Sequence, residues 1–411
     1  MVQAEGRTPA GIDVPELHHQ LTTFAEAIEA FRSPLLSTVI HDGTEAFREG
    51  TVLRIEGDAH HQRRRAMGRL LRGDGDEWFR SRVLVPTIEA NLAAVLEAAG
   101  DGLPELDMVV FARQAFFQLA AALIGLRSVD GPEAAEELRR FCEPINLAMR
   151  SWYLKGDPEA MLAKGVEVKE RFRQRYFQAA YDQHAALAQA VTQGRLEPDA
   201  LPHDLLSLIV SGADPEWGSD PDLPLREALT DIINAGTFSS SSTLVHALHD
   251  CLTWFAAHPE DRARYGAPTF LAGAVAETLR LHPAAPMFLR LATDDVELRS
   301  GRTIRAGQTV GIMVIDANRD AAVFGADSDQ FNPWREVPKG VYPYGVAFGT
   351  GRHMCFGLPM VLGSNGADGS HGQILRLFFE AGVAPHPSAL PTKNPESRLD
   401  VWGSYPVVFR G

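Results

Sequence analysis

A mainly α fold with a small β part is predicted for this 411-residue chain by three features of its sequence. Apolar residues recur at three-to-four spacing through the first two-thirds. One such stretch runs without a break from Leu225 to Ala257, and short β-type segments follow only after Leu281. No stretch has the length and polarity of a linker, so residues 1–411 are expected to form a single α+β domain.

Helical periodicity marks Leu21 to Phe31, Arg63 to Leu71, Val85 to Ala99, Val110 to Ile124, Gly131 to Ala148 and Pro158 to Gln189. The long helix has Asp222 and Pro224 as start signals and His258-Pro259 as its stop. At about 1.5 Å per residue it runs roughly 50 Å, enough to cross a domain. Val296 to Leu298, Thr303 to Ile304 and Thr309 to Ile315 read as short strands separated by glycine turns. An irregular Pro/Gly-rich stretch, Ala321 to Gly351, then leads to Cys355.

Hydrophobic residues make up 45% of the chain, and 39 basic against 53 acidic residues give a net charge of -14. That balance argues against a nucleic-acid partner. No apolar run reaches the length needed to cross a bilayer, and Met1 to Pro15 is polar rather than basic and then apolar. A cytoplasmic protein without membrane attachment is expected. Three scattered cysteines, Cys142, Cys251 and Cys355, make neither a disulfide framework nor a CxxC metal pair. Cys142 and Cys251 lie in apolar helical patterns and read as buried, inert thiols.

Cys355 has other neighbours. In Phe348-Gly349-Thr350-Gly351-Arg352-His353-Met354-Cys355-Phe356-Gly357 the glycines allow backbone to approach a flat cofactor closely. A thiolate there needs its charge stabilised, and backbone N–H groups of a tight loop, a following helix start or the adjacent Arg352 and His353 can do this. A glycine loop with a structural cysteine is the plainer alternative.

This peptide resembles the haem-binding signature FGxGxHxCxG of the cytochromes P-450 and matches it at every specified position. Glu277-Thr278-Leu279-Arg280 resembles that family's ExxR motif, with Arg335 as the third member of its ion-pair set. Ala317-Asn318-Arg319-Asp320 is similar to a stretch of bacterial members. His60 and Arg64 match the HxxxR spacing of a helix that bonds a haem propionate, and Arg290 matches a second propionate-binding arginine. A solvated basic helix face is the alternative around His60, since His61, Arg63 and Arg65 stand beside these two. The resemblance runs from about Thr22 to Val361. It implies the P-450 fold, haem b as cofactor, Cys355 as the iron ligand, and Phe348, Gly349, His353, Ala235 and Gly236 close to the haem.

Three departures from the family pattern bear on function. In Ala235-Gly236-Thr237-Phe238-Ser239-Ser240-Ser241-Ser242-Thr243 the usual acid is Phe238 and the usual threonine is Ser239. A second register, counted back from His258-Pro259, puts Thr243 at the alcohol position and Ser242 at the acid. Neither register has a carboxylate. Ser239, Ser240 and Thr243 are the candidate catalytic hydroxyls. The serine run reads either as close packing or a bulge over the haem, or as a water pocket. Second, Gly363 to Gly372 is expected to interrupt the helix after the cysteine. Third, the segment ahead of His60 is short, so the first helix and part of the first sheet are expected to be trimmed.

Phe238, Met287, Phe288 and Leu289, with Trp152 and Tyr153, sit where relatives line the substrate cavity; core packing is the alternative. His246, His249 and Asp250 have helical metal-ligand spacing but read as a polar helix face. The resemblance implies an oxygenase of a small-to-medium, largely apolar organic molecule, in specialised metabolism, with electrons from a separate ferredoxin or flavodoxin. The alternatives are a peroxide-using or rearranging haem-thiolate enzyme, and a haem protein that senses or binds a ligand without catalysis.

Overall fold

The computed structural model describes residues 17–40, 42–100, 102–126, 131–363 and 369–410. Helices dominate up to residue 281 and the longer strands lie mostly after it. The first expected helix begins later than its periodicity suggests. His19–Leu21 is a strand, and Thr23 caps Phe24–Arg32 by accepting the Glu26 N–H. Asp107 caps Met108–Ile124 in the same way, and Gly125, at φ 103°, ends it.

The main sheet runs in the order His19–Leu21, Thr309–Met313, Met287–Ala292, Leu36–Ser37. The first pair is parallel and the others antiparallel. Met287–Ala292 is thus a central strand. The sequence reading saw its apolar residues as pocket lining and missed the strand, because an unbroken Met-Phe-Leu run carries no alternation. Met287 itself is only 2% exposed and packs on Met313 and Tyr153, so core packing is its place.

The long helix is built of Leu223–Ile233, a widened π turn at Asn234–Phe238, and Ser239–Ala257. Its two halves belong to different cores. Leu225, Ala228, Leu229, Ile232 and Ile233 pack with the helices Gly57–Leu71, Pro132–Met149 and Pro158–Phe172. Leu244, Val245, Leu248, Cys251 and Phe255 pack with Met108–Ile124, Pro268–Leu281 and Ser370–Glu380. The π turn lies at the seam between them. Cys142 and Cys251 are buried, one in each core.

After Cys355 the chain makes only the short helix Leu358–Leu362, which Gly363 ends at φ 84°. Helix resumes at Ser370–Glu380, so the expected interruption is present, with residues 364–368 of it outside the described residues. The N-terminal reading on Met1 to Pro15 also falls outside them. Among the described residues no helix is long and apolar enough to cross a membrane.

Candidate cofactor site

The cysteine loop is held by geometry that only glycine adopts without strain. Gly349 and Gly351 have φ of 64° and 76°, and a Cβ on Gly351 would lie 3.0 Å from the Phe31 carbonyl oxygen. The Cys355 N–H donates to the Phe348 carbonyl at 2.8 Å and closes the loop. Cys355 is exposed, unlike the other two cysteines. Burial nonetheless pushes its thiol up, against the pull of the Gly357 and Leu358 N–H groups and Arg64. The sulfur is thus accessible at its surface yet surrounded by protein, which disfavours its charged form.

The basic cluster of Gly57–Leu71 divides three ways. Arg63 turns inward and is ion-paired with Asp214 and Glu227. Arg64 lies over the Phe356 ring at 5.5 Å and acts on the Cys355 thiol. Arg65 and His61 are exposed. His60 is 1% exposed, its ring centre 4.0 Å from that of His353, and its Nδ1 has no partner. Burial, with His353 and Arg64 beside it, takes His60 down to about 4.

His353 is bonded through Nε2 to Glu56 Oε2 at 2.9 Å, a contact the sequence reading missed. Burial pushes Glu56 up, but hydrogen bonds from His353 and Thr38 outweigh it and hold Glu56 down to about 2. Its position just before Gly57–Leu71 was the available signal. Arg290 is buried, donates to the Leu289 carbonyl at 2.7 Å and lies over Phe31 and Phe288. Burial lowers it to about 10. Among the described residues neither Arg290 nor Arg64 holds a carboxylate.

Behind the loop stands a saturated ion-pair set. Arg280 Nε and Nη2 each donate to Glu277 at 2.7 Å, and Arg335 Nε donates to Glu277 Oε1 at 2.8 Å. Arg280 Nη1 also holds the carbonyls of Asn318 and Ser328 at 2.7 and 2.6 Å. Asn318 Oδ1 in turn accepts the Val346 N–H at 2.7 Å, tying the set to the chain that enters the cysteine loop.

On the long helix the candidate residues separate. A Cβ on Gly236 would meet Ala120 at 3.0 Å and Phe117 at 3.1 Å, so its smallness lets Met108–Ile124 pack closely against this turn. Ala235 is half-buried. Ser239 is half-buried too, and its hydroxyl donates to the Asn234 carbonyl at 2.5 Å across the widened turn. Ser240 and Thr243 are 6% and 3% exposed, and the Ser240 carbonyl accepts His371 Nε2 at 2.9 Å. Of the three candidate hydroxyls only Ser239 reaches open space.

Phe238 carries the Arg150 guanidinium 3.5 Å above its ring. Phe288 and Leu289 are half-buried, and Phe288 packs edge-on against Phe31 at 5.3 Å. Two turns before Ser239 stands Asp231, which the sequence reading passed over. Burial and the neighbouring Glu227 push it up, and its charge acts on Cys355. The family acid is missing from positions 238 and 242, yet a carboxylate does stand on this helix. His246, His249 and Asp250 are bonded to the Asp400 carbonyl, the Tyr405 hydroxyl and Thr278. Among the described residues no His/Cys/Asp/Glu cluster could hold a metal ion.

These observations fit a flat macrocycle with two carboxylates. A desolvated but open sulfur can reach its metal, while two guanidinium groups without carboxylates and an unpartnered His60 Nδ1 can meet its acidic edge.

The family model described as Cytochrome P450 matches residues 268–361, the stretch from the Glu277–Arg280 helix through Cys355. Indoleacetaldoxime dehydratase of Arabidopsis thaliana is 38% identical over 100 residues, 23% of this chain and 20% of that one. The chain spans about a fifth of the length of the curated relatives it matches. Among solved structures, P450BioI in complex with a hexadec-9Z-enoic acid ligated acyl carrier protein has a TM-score of 0.69 at 16% identity, covering 97% of this chain and 94% of that one. HmtN, a post-tailoring hydroxylase involved in himastatin biosynthesis, has a TM-score of 0.66 at 20% identity, covering 98% and 95%. Residues 268–361, with the cysteine loop inside them, are thus similar in sequence to the Cytochrome P450 family model, and the fold is shared with solved P450 structures over nearly the whole chain.

Proposed function

We propose that the protein is a cytochrome P450 monooxygenase that oxidises a small-to-medium, largely apolar organic acceptor, with haem b bound through Cys355. The observation that carries this is the open yet desolvated Cys355 sulfur, faced by the N–H groups of Gly357 and Leu358. When bound, a haem with a thiolate ligand supplies oxygen activation, because the sulfur's electron density favours O–O cleavage.

The chain's own residues do the rest. Arg290 and Arg64, with His60 and His353 near them, neutralise and orient the propionates. Ala235 keeps the long helix low over the site, and Ser239 holds a hydroxyl or a bound water where the usual threonine would. Phe238 cannot carry a proton, so proton delivery falls to water at Ser239. Electrons are assigned to a separate ferredoxin or flavodoxin. The neighbour described as a post-tailoring hydroxylase supports a role in specialised metabolism.

The reduced carbon monoxide spectrum tests the ligand. A thiolate-type Soret band is expected, lost in Cys355→Ala; an imidazole-type band would sink the proposal. Substrate-dependent NAD(P)H consumption with a reconstituted donor, together with an oxygenated product, tests the reaction. The alternative is a peroxide-using or rearranging enzyme, favoured by Phe238 at the acid position and by a relative described as a dehydratase. Turnover with peroxide, or with no electron donor at all, decides for it.

A further inference from the structure

Two half-buried guanidinium groups beside the long helix hold no carboxylate. Arg150 closes the helix Pro132–Met149, and its guanidinium stands over Phe238. Arg113, from the middle of Met108–Ile124, lines a narrow cleft beside the same ring, together with Ser242, Val245 and Trp402. Among the described residues neither arginine makes a side-chain hydrogen bond or an ion pair. Burial lowers both; Arg150 falls to about 10, which leaves it charged at neutral pH.

The carboxylates around them are committed elsewhere. Glu143 acts on both arginines, but its oxygens are held by Arg139 at 3.3 Å and Asn146 at 3.5 Å. Asp107 and Glu136 act on Arg113 alone. Asp107 caps its own helix and accepts from Ser404, while Glu136 bridges Arg139 and Arg140. Each arginine also repels its neighbours: Arg113 raises the cost of charge on Arg150, and Arg139 does so on Arg113.

Deep arginines elsewhere hold carboxylates, as Arg63 holds Asp214 and Glu227 and as Arg280 and Arg335 hold Glu277, whereas Arg290, assigned above to a haem propionate, does not. Two desolvated cations left without an anion are expensive, and an arriving anion relieves that cost. The forked guanidinium matches a carboxylate bidentately, and the Arg113 cleft reaches the Phe238 ring on which Arg150 rests.

We propose that Arg113 and Arg150 form an anion subsite that takes the carboxylate of an organic-acid substrate, with Phe238 and Ser242 beside it. This deepens the oxygenase reading above, on which it rests for the ligand being the substrate. The apolar remainder of such an acid would lie toward the half-open face of the helix at Ala235 and Ser239.

Calorimetric titration of the haem-loaded protein with octanoate and 4-phenylbutanoate, against their methyl esters, tests it. The acids should bind about tenfold or more tightly than the esters. Arg150→Gln and Arg113→Gln should each weaken the acids by about tenfold and leave the esters unchanged, while Arg150→Lys retains most of the preference. Equal binding of acid and ester, no acid binding, or a loss shared by both ligand types overturns the subsite. Should the glutamine variants not fold, the acid–ester comparison on the unaltered protein decides alone. A thiolate-type carbon monoxide spectrum without acid preference removes the subsite and leaves the haem reading standing. Acid preference without that spectrum does the reverse.

Discussion

Arg280 shows how much one residue carries. It is fully buried, and its guanidinium holds Glu277 with two hydrogen bonds and two backbone carbonyls with two more. Arg280→Ala leaves the Glu277 charge buried with half its partners, a loss of about 3–5 kcal/mol. The expected outcome is a protein that melts markedly earlier and retains little haem, read by thermal unfolding and by the Soret absorbance per chain. His371 sets a different expectation. Burial outweighs the bond to the Ser240 carbonyl and takes its ring down to about 4. Between about pH 6.5 and that value the unfolded chain binds more protons than the folded one, so stability is full above about 6.5 and falls with acid. Urea midpoints measured from pH 7 to pH 4.5 should decline, and His371→Asn should flatten that slope by up to about 1.4 kcal/mol per pH unit. The single residues legible in the sequence were those inside a contiguous motif, such as Cys355 and Glu277. Glu56, Arg113 and Arg150 were not, because their meaning depends on partners brought, or not brought, from distant segments.

Among the elements, Pro132–Met149 and Pro158–Phe172 pack closely, and a Cβ on Gly165 would run into Ala148 and meet Phe47 at 3.0 Å. Gly165→Leu should therefore cost about 1–3 kcal/mol by overpacking, measured as a lowered urea midpoint. The neutral control is Gly218→Ala, where nothing stands within 4 Å. Most helices with a strong apolar period were read to within a few residues, with ends moved where a cap such as Thr23 or Asp107 decided them. Gly57–Leu71, however, begins well ahead of the marked Arg63, and a widened turn at Arg173–Phe177 divides the stretch marked from Pro158. The short strands Leu36–Ser37 and Glu105–Asp107 escaped, since two or three residues carry no period; only their register with distant strands makes them strands. The π turn at Asn234–Phe238 lies just ahead of the serine run, for which a bulge was one of the readings. Within it a Cβ on Gly236 would crowd Phe117 and Ala120 on a neighbouring helix, a contact that no local pattern records.

At the scale of the whole molecule the fold was legible because its most informative peptide is contiguous and because the order of motifs along the chain mirrors the order of elements. The surroundings of Phe238 were not, since Arg150, the Arg113 helix and the start of the strand Trp402–Ser404 come there from three separate regions. The helix from Leu223 to Ala257 works like an axle set into two bearings. If one core melted, its half of the rod would have to stay ordered without its packing or part from the other half, so the two cores are expected to unfold together. Trp217 reports from one bearing and Trp254 from the rim of the other. In single-tryptophan variants their denaturation curves should superimpose, and two separated midpoints would mean that the axle breaks at its widened turn.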